Sequence, residues 1–194
     1  MRLGVLGGTF DPVHVAHLVA AVEARHQLGL DRVLLVVANR PWQKLGDHAV
    51  TAAVDRLAMV RAAVAGIEGL EASALEVERG GLSYTADTVA ELAARHPGAE
   101  LFVVVGTDVA AELGTWARQD ELHGAVTLAV VGRAGAAAVL PGPPWRSVGV
   151  AMPELAVSSR DLRARAAAGE PLDGLVPPGA LTELRRRGLY AGSR

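Results

Sequence analysis

At 194 residues the chain has the length of one domain, with ample material for a buried core. Its formal net charge of -2 excludes the basic field that holds a nucleic acid, and with no cysteine neither a disulfide framework nor a thiolate metal site can be drawn, so a reducing, cytoplasmic setting is expected. The opening apolar run is too short and too broken by glycine for a signal-peptide core or a membrane span, and no membrane partner is expected.

In chain order, apolar runs that suit buried strands alternate with stretches of helical period. The runs are 3–6, 32–38, 70–77, 100–105, 126–131 and 146–151. Between the first two, Val15, Leu18, Val19 and Val22 recur at helical spacing, and Gly29 offers a stop. The stretch 50–66 repeats the helical signal, with Val54, Leu57 and Ala58 forming an apolar face and Arg61 at its charged edge. Residues 132–145, rich in glycine, alanine and proline, read as an irregular connection within one domain that spans 1–194. A helix opening near Ser158 should reach Gly169, and Arg185, Arg186 and Arg187 suit the negative end of a last helix. Strand and helix in alternation specify an α/β fold: a doubly wound, mostly parallel sheet, with a small helical part over about 157–190.

The stretch between the first strand and the first helix, "GGTFDPVHVAH" at 7–17, carries the densest signal. In an open parallel sheet ligands bind where strands end at their carboxyl edge. Gly7 and Gly8 would let backbone amides approach a phosphate there, or would simply make a tight turn. No GK[ST] follows, the order is not GxGxxG, and Asn39 and Arg40 stand where a dinucleotide oxidoreductase wants an acid after the second strand. If Asp11 caps the helix and Pro12 fills its first turn, His14 and His17 lie about 60° apart around its axis and lean back toward the glycine turn. Unpaired amides at that helix start favour an anion. A zinc pair lacks a third ligand at suitable spacing, so no metal is assigned to protein side chains.

The same stretch resembles the signature GGTFDPxHxGH of the nucleotidyltransferase superfamily with its HxGH motif, most closely that of the bacterial nicotinate mononucleotide adenylyltransferases. The likeness runs on through "SYTADT" (83–88), similar to SYTxDT; through "VGTD" (105–108) followed by Trp116; and through "VSSRDLR" (157–163), similar to ISSTxxR. Three positions depart from the pattern: Ala16 stands for glycine, Arg160 for threonine, and "RPWQK" (40–44) for PPHK, which keeps Lys44 and puts Gln43 in place of a histidine.

The resemblance implies a Rossmann-like nucleotidyltransferase fold and adenylyl transfer from ATP to nicotinate mononucleotide in NAD biosynthesis, with Mg²⁺ carried on the ATP phosphates. It implies His14 and His17 as the catalytic pair. Gly7, Gly8, Thr9, Phe10, Ser158, Ser159 and Arg163 would join them around ATP, the last three as a second phosphate site at a helix start. Asn39, Lys44, Tyr84, Thr85, Asp87, Asp108 and Trp116 would receive nicotinate mononucleotide, with Ser83 or Thr85 capping a helix and Trp116 offering its ring to the pyridine. The expected partners are ATP and a small phosphate-bearing substrate, and the sequence leaves a homo-oligomer open. Two other readings stay open: the same chemistry on a different acceptor, such as phosphopantetheine, and a nucleotide-binding regulator without catalysis.

Overall fold

The computed structural model describes residues 1–41, 50–133 and 139–191. β1 (Arg2–Gly8) leads to α1 (Val15–Leu28), β2 (Arg32–Val37), the two-residue β3 (Arg40–Pro41), α2 (Ala53–Val64), β4 (Leu70–Ser73) and α3 (Leu75–Arg79). There follow the two-residue β5 (Leu82–Ser83), α4 (Thr85–Arg95), β6 (Glu100–Gly106), α5 (Thr107–Ala111), a 3-10 turn (Leu113–Thr115) and α6 (Gln119–Leu122). The chain continues through β7 (Val126–Arg133), β8 (Arg146–Met152), α7 (Ser159–Ala167) and α8 (Pro178–Arg186).

Six strands form one sheet in the order β4-β2-β1-β6-β7-β8, every pairing parallel, while β3 and β5 make a small parallel pair of their own. The expected doubly wound sheet is therefore present. Winding leaves β1 in one direction through β2 to β4 and in the other through β6 to β8, so β1 and β6 flank the switch point where a crevice opens at the carboxyl edge.

Both faces of the sheet are covered, which explains the uninterrupted apolar strand sequences. Leu35, Val37, Phe102 and Val104 pack on one face with Ala21 and Ala24 of α1, Val60 of α2 and Leu184 of α8. Their alternates Leu34, Val36, Val103 and Val105 pack on the other with Val89 and Leu92 of α4.

Three local expectations give way to tertiary packing. The strand expected over 70–77 stops at Ser73, and Leu75–Arg79 turns into α3. In α1 the buried face runs through Ala21 and Ala24 instead of the Val15–Val22 stripe, leaving Val22 exposed. In α2, Val54 is exposed, and the buried face carries Arg56, Leu57, Val60, Ala63 and Val64. Gly29 does end α1, in the left-handed conformation at φ 57°; of the stretch 132–145, Gly132 and Arg133 instead extend β7, 134–138 lie outside the described residues, and 139–145 carry no helix or strand.

α8 lies against α2 with its arginine-rich end bonded across, Arg187 reaching Asp55 on α2 and Glu183 on its own helix. The approach is close enough that a Cβ at Gly179 would sit 2.3 Å from the carbonyl oxygen of Ala62. Backbone cannot yield as a flexible side chain does. Gly179→Ala should cost about 1–3 kcal/mol, the usual scale for overpacking, read as a lowered urea midpoint with an unchanged m-value.

Candidate active site

The turn between β1 and α1 is held from all sides by polar groups. Arg56, 1% exposed, donates from Nη1 to the Thr9 carbonyl (2.6 Å), from Nε to the Thr51 carbonyl (2.7 Å) and from Nη2 to the Asn39 carbonyl (3.1 Å). Asp11, equally buried, is not the helix cap expected from sequence. Its carboxylate instead accepts the Tyr190 hydroxyl (2.6 Å) and, more weakly, the Thr51 amide (3.4 Å). Burial and the adjoining carboxylate push the Tyr190 phenol well above its ordinary range, so it stays a donor. The carbonyls of Asp11 and Pro12 are taken by Arg163 Nη1 (2.7 Å) and Ser159 Oγ (2.9 Å) of α7.

With Asp11 and Pro12 committed to that turn, α1 begins later, and His14 occupies its N-cap. His17 sits at the third position inside, and its Nδ1 accepts the His14 amide (3.2 Å), which puts the proton of a neutral His17 on Nε2. The two imidazoles are stacked, 3.7 Å between centroids and 23° between planes, and His17 meets the edge of Phe10 at 4.9 Å. They do share one place, as expected, although cap geometry achieves it. Burial drives the His14 pKa down to about 4, so its ring is neutral near pH 7, and its buried Nδ1 has no hydrogen-bond partner among the described residues.

A cleft follows the carboxyl edge of β1 and β6 and has two parts. One, of about 430 Å³, is lined by Gly7, Gly8, Tyr84, Thr85 and Trp116. The other, of about 380 Å³, is lined by His14, Ala16, Ala20, Thr107 and Glu154. His17 and Asp108 line both. A Cβ at Gly7 would meet nothing within 4 Å, so that backbone is open to the cleft, whereas one at Gly8 would strike the Phe10 ring at 2.8 Å.

A family model described as cytidylyltransferase-like matches residues 5–165. The chain belongs to the cytidylyltransferase-like family. Within it, the chain is 42% identical to a probable nicotinate-nucleotide adenylyltransferase of Corynebacterium kroppenstedtii, over 99% of this chain and 92% of that one. It is 42% identical to the protein of the same name from Streptomyces coelicolor, over 96% and 100%. In fold it is similar to the nicotinic acid mononucleotide adenylyltransferase of Plasmodium falciparum complexed with NaAD, with a TM-score of 0.79 at 15% identity over 97% of both chains.

Against the family pattern, the remaining expected residues fall into distinct places. Thr9 lines the first part of the cleft, and Phe10 is a buried core residue at φ 51°. Ser158 caps α7, accepting the Asp161 amide (3.2 Å), while Ser159 and Arg163 grip the 11–12 turn as described. Neither Ser83 nor Thr85 is the cap of α4; Tyr84 holds that position, and the Ser83 hydroxyl accepts the Asn39 amide (2.9 Å) because the β3–β5 pairing brings them together. The Asn39 side chain donates to the Gly81 carbonyl (2.9 Å), and Asp87 is paired with Arg118. Gln43 and Lys44 lie outside the described residues.

Three residues absent from the sequence reading matter here: Arg56, Tyr190 and Glu76, a buried carboxylate in the first part of the cleft. Arg56 left a usable trace, since it falls in register with Val60, Ala63 and Val64, the pattern of a cation turned inward. Tyr190 left none, its partner being 179 positions away.

Two outcomes follow. Arg56→Lys cannot span three carbonyls with one ammonium and should lose about 3 kcal/mol or more of unfolding free energy, the scale for breaking a buried charge network, measured by urea denaturation. For His14, the unfolded chain, with a pKa near 6.5, binds a proton that the folded chain refuses until about pH 4. Stability should thus be full above pH 6.5 and fall as pH drops toward 4, by at most roughly 3 kcal/mol. Denaturation curves at pH 7.5 and 5 should show this loss, reduced in His14→Gln.

Proposed function

We propose that this protein transfers the adenylyl group of ATP to nicotinate mononucleotide, giving nicotinate adenine dinucleotide and pyrophosphate. The single observation that carries the reading is the stacked His14–His17 pair at a helix N-terminus, beside the open backbone of Gly7, where the two parts of the cleft meet. A relative 42% identical that is named a probable nicotinate-nucleotide adenylyltransferase supports the choice of reaction.

In this reading the two parts of the cleft divide the substrates. The adenylate portion lies along α1 in the part lined by Ala16 and Ala20, and the pyridine nucleotide lies in the part lined by Tyr84, Thr85 and Trp116. A phosphate oxygen of the mononucleotide attacks the α-phosphorus in line. A new P–O bond forms as the bond to the bridging oxygen breaks, and pyrophosphate departs with that electron pair. The protein contributes position and charge stabilisation, since phosphoryl-type transfer asks for little covalent help. The Nε2 proton of His17 is a donor for the anion, and the N-terminal dipole of α1 adds an attractive field. His14, kept neutral near pH 7 by burial, would gain a reason to hold a proton with a polyanion against it.

Thr85 opens α4, an eleven-residue helix whose first amides point the way for a carboxylate, which would favour the acid over the amide of the pyridine. Ser159 and Arg163 reach phosphate only if they exchange their carbonyl partners in the 11–12 turn for it. Among the described residues no cluster of three or more carboxylates and imidazoles is placed to hold a metal. Mg²⁺ would instead arrive on the triphosphate, where it offsets phosphate charge. No described helix is long and apolar enough to cross a membrane.

Pyrophosphate release is the decisive measurement. It should appear with ATP and nicotinate mononucleotide and be far weaker with nicotinamide mononucleotide. Release with another phosphate acceptor alone would move the activity elsewhere in the family, and none with any acceptor would leave a binding protein. His17→Ala should lower kcat by about 10²-fold or more with the fold kept, as judged by an unchanged circular dichroism spectrum.

A further inference from the structure

Glu76 is a charged group that neither the catalytic pair nor the pinned turn uses. It lies on α3, is 7% exposed, and lines the first part of the cleft together with Thr88, Tyr84, Thr85 and Trp116. Its Oε1 accepts the Thr88 hydroxyl, while Arg79 donates to that hydroxyl oxygen at 3.1 Å and stands 3.9 Å from the carboxylate. Among the described residues, Oε2 receives no hydrogen bond. Although the residue is mostly buried, Oε2 is not among the fully buried atoms and keeps access to the cleft, where its negative charge is available to a ligand.

Resting on the function proposed above, we infer that Glu76 is a specificity-determining residue that recognises the positive ring of the pyridine nucleotide. The ring nitrogen of nicotinate mononucleotide bears the ribose and is a pyridinium cation, while its carboxylate stands meta to that nitrogen. The molecule therefore offers two opposite charges a short distance apart. The wall of the cleft offers the complement. Thr85 opens α4 at its positive end, and Thr88, which holds Glu76, lies three residues further in, about 4.5 Å along the helix. The amides at the helix start suit the carboxylate, the Glu76 carboxylate suits the pyridinium, and Trp116 adds an aromatic face for the same cation. Arg79 holds Thr88 and Glu76 in register without lining this part of the cleft.

The test compares two acceptors: nicotinate mononucleotide, and the C-riboside 5′-phosphate of benzoate, which keeps the carboxylate but has a neutral ring. The unaltered protein should show a KM for the neutral acceptor about tenfold above that for the cationic one, a modest Coulomb attraction in a partly wet site. Glu76→Gln keeps the oxygen that Thr88 needs and removes the charge. It should raise the KM for nicotinate mononucleotide about tenfold, leave that for the neutral ring and for ATP where they were, and hardly change kcat. A merely structural role would move all three constants together, and that result overturns the inference. So does an unaltered protein that uses both rings equally well, a comparison needing no variant to fold. Failure of the unaltered protein to release pyrophosphate with nicotinate mononucleotide counts against the proposed reaction, a result separate from either of these.

Discussion

One buried guanidinium fixes the geometry on which the site depends. Arg56 draws the carbonyls of Thr9, Asn39 and Thr51 to a common centre, and so joins the end of β1, the end of β2 and the approach to α2. Burial opposes its charge and the nearby Asp11 carboxylate sustains it. Neither group is tolerable there alone. Together they leave the turn after Gly8 a single course, which sets where α1 starts and therefore where both imidazoles stand.

Polar contacts from distant parts of the chain complete the same turn. α7 grips two of its carbonyls and Tyr190 its carboxylate, so the short helical part after the sheet is structural support for a loop formed near residue 11. The site thus combines a rigid sheet edge with a backbone turn clamped by side chains. Such preorganisation suits chemistry that works by placing two anions against each other.

How much of this was legible in the sequence depended on the range of the interaction. Strands buried on both faces announced themselves through uninterrupted Val and Leu, and Gly29 and Ser158 marked helix ends by local chemistry. The resemblance carried by 7–17 singled out two histidines whose rings stack at the start of α1. What misled was local grammar in a place where tertiary contacts rule. Asp11 has the residue type of a helix cap, yet a tyrosine 179 positions later claims it. The Ser83 hydroxyl suits a cap too, but the β3–β5 pairing delivers it to Asn39. Helix faces follow the same rule: the valines of α1 have the spacing of a buried stripe, yet Ala21 and Ala24 are the residues that join the core.

The clasp between Asp11 and Tyr190 also bears on how the molecule is born. During synthesis the sheet can assemble from its first strands outward, since each of β1, β2 and β6 finds its neighbour before the last helices emerge. The turn after Gly8 meets Arg56 early, but Ser159, Arg163 and Tyr190, which hold its carbonyls and its carboxylate, emerge only after the sheet strands. A nascent chain would therefore display the crevice before its clamp is complete, and competence would arrive in one late step, when α7 and Tyr190 close over the first loop.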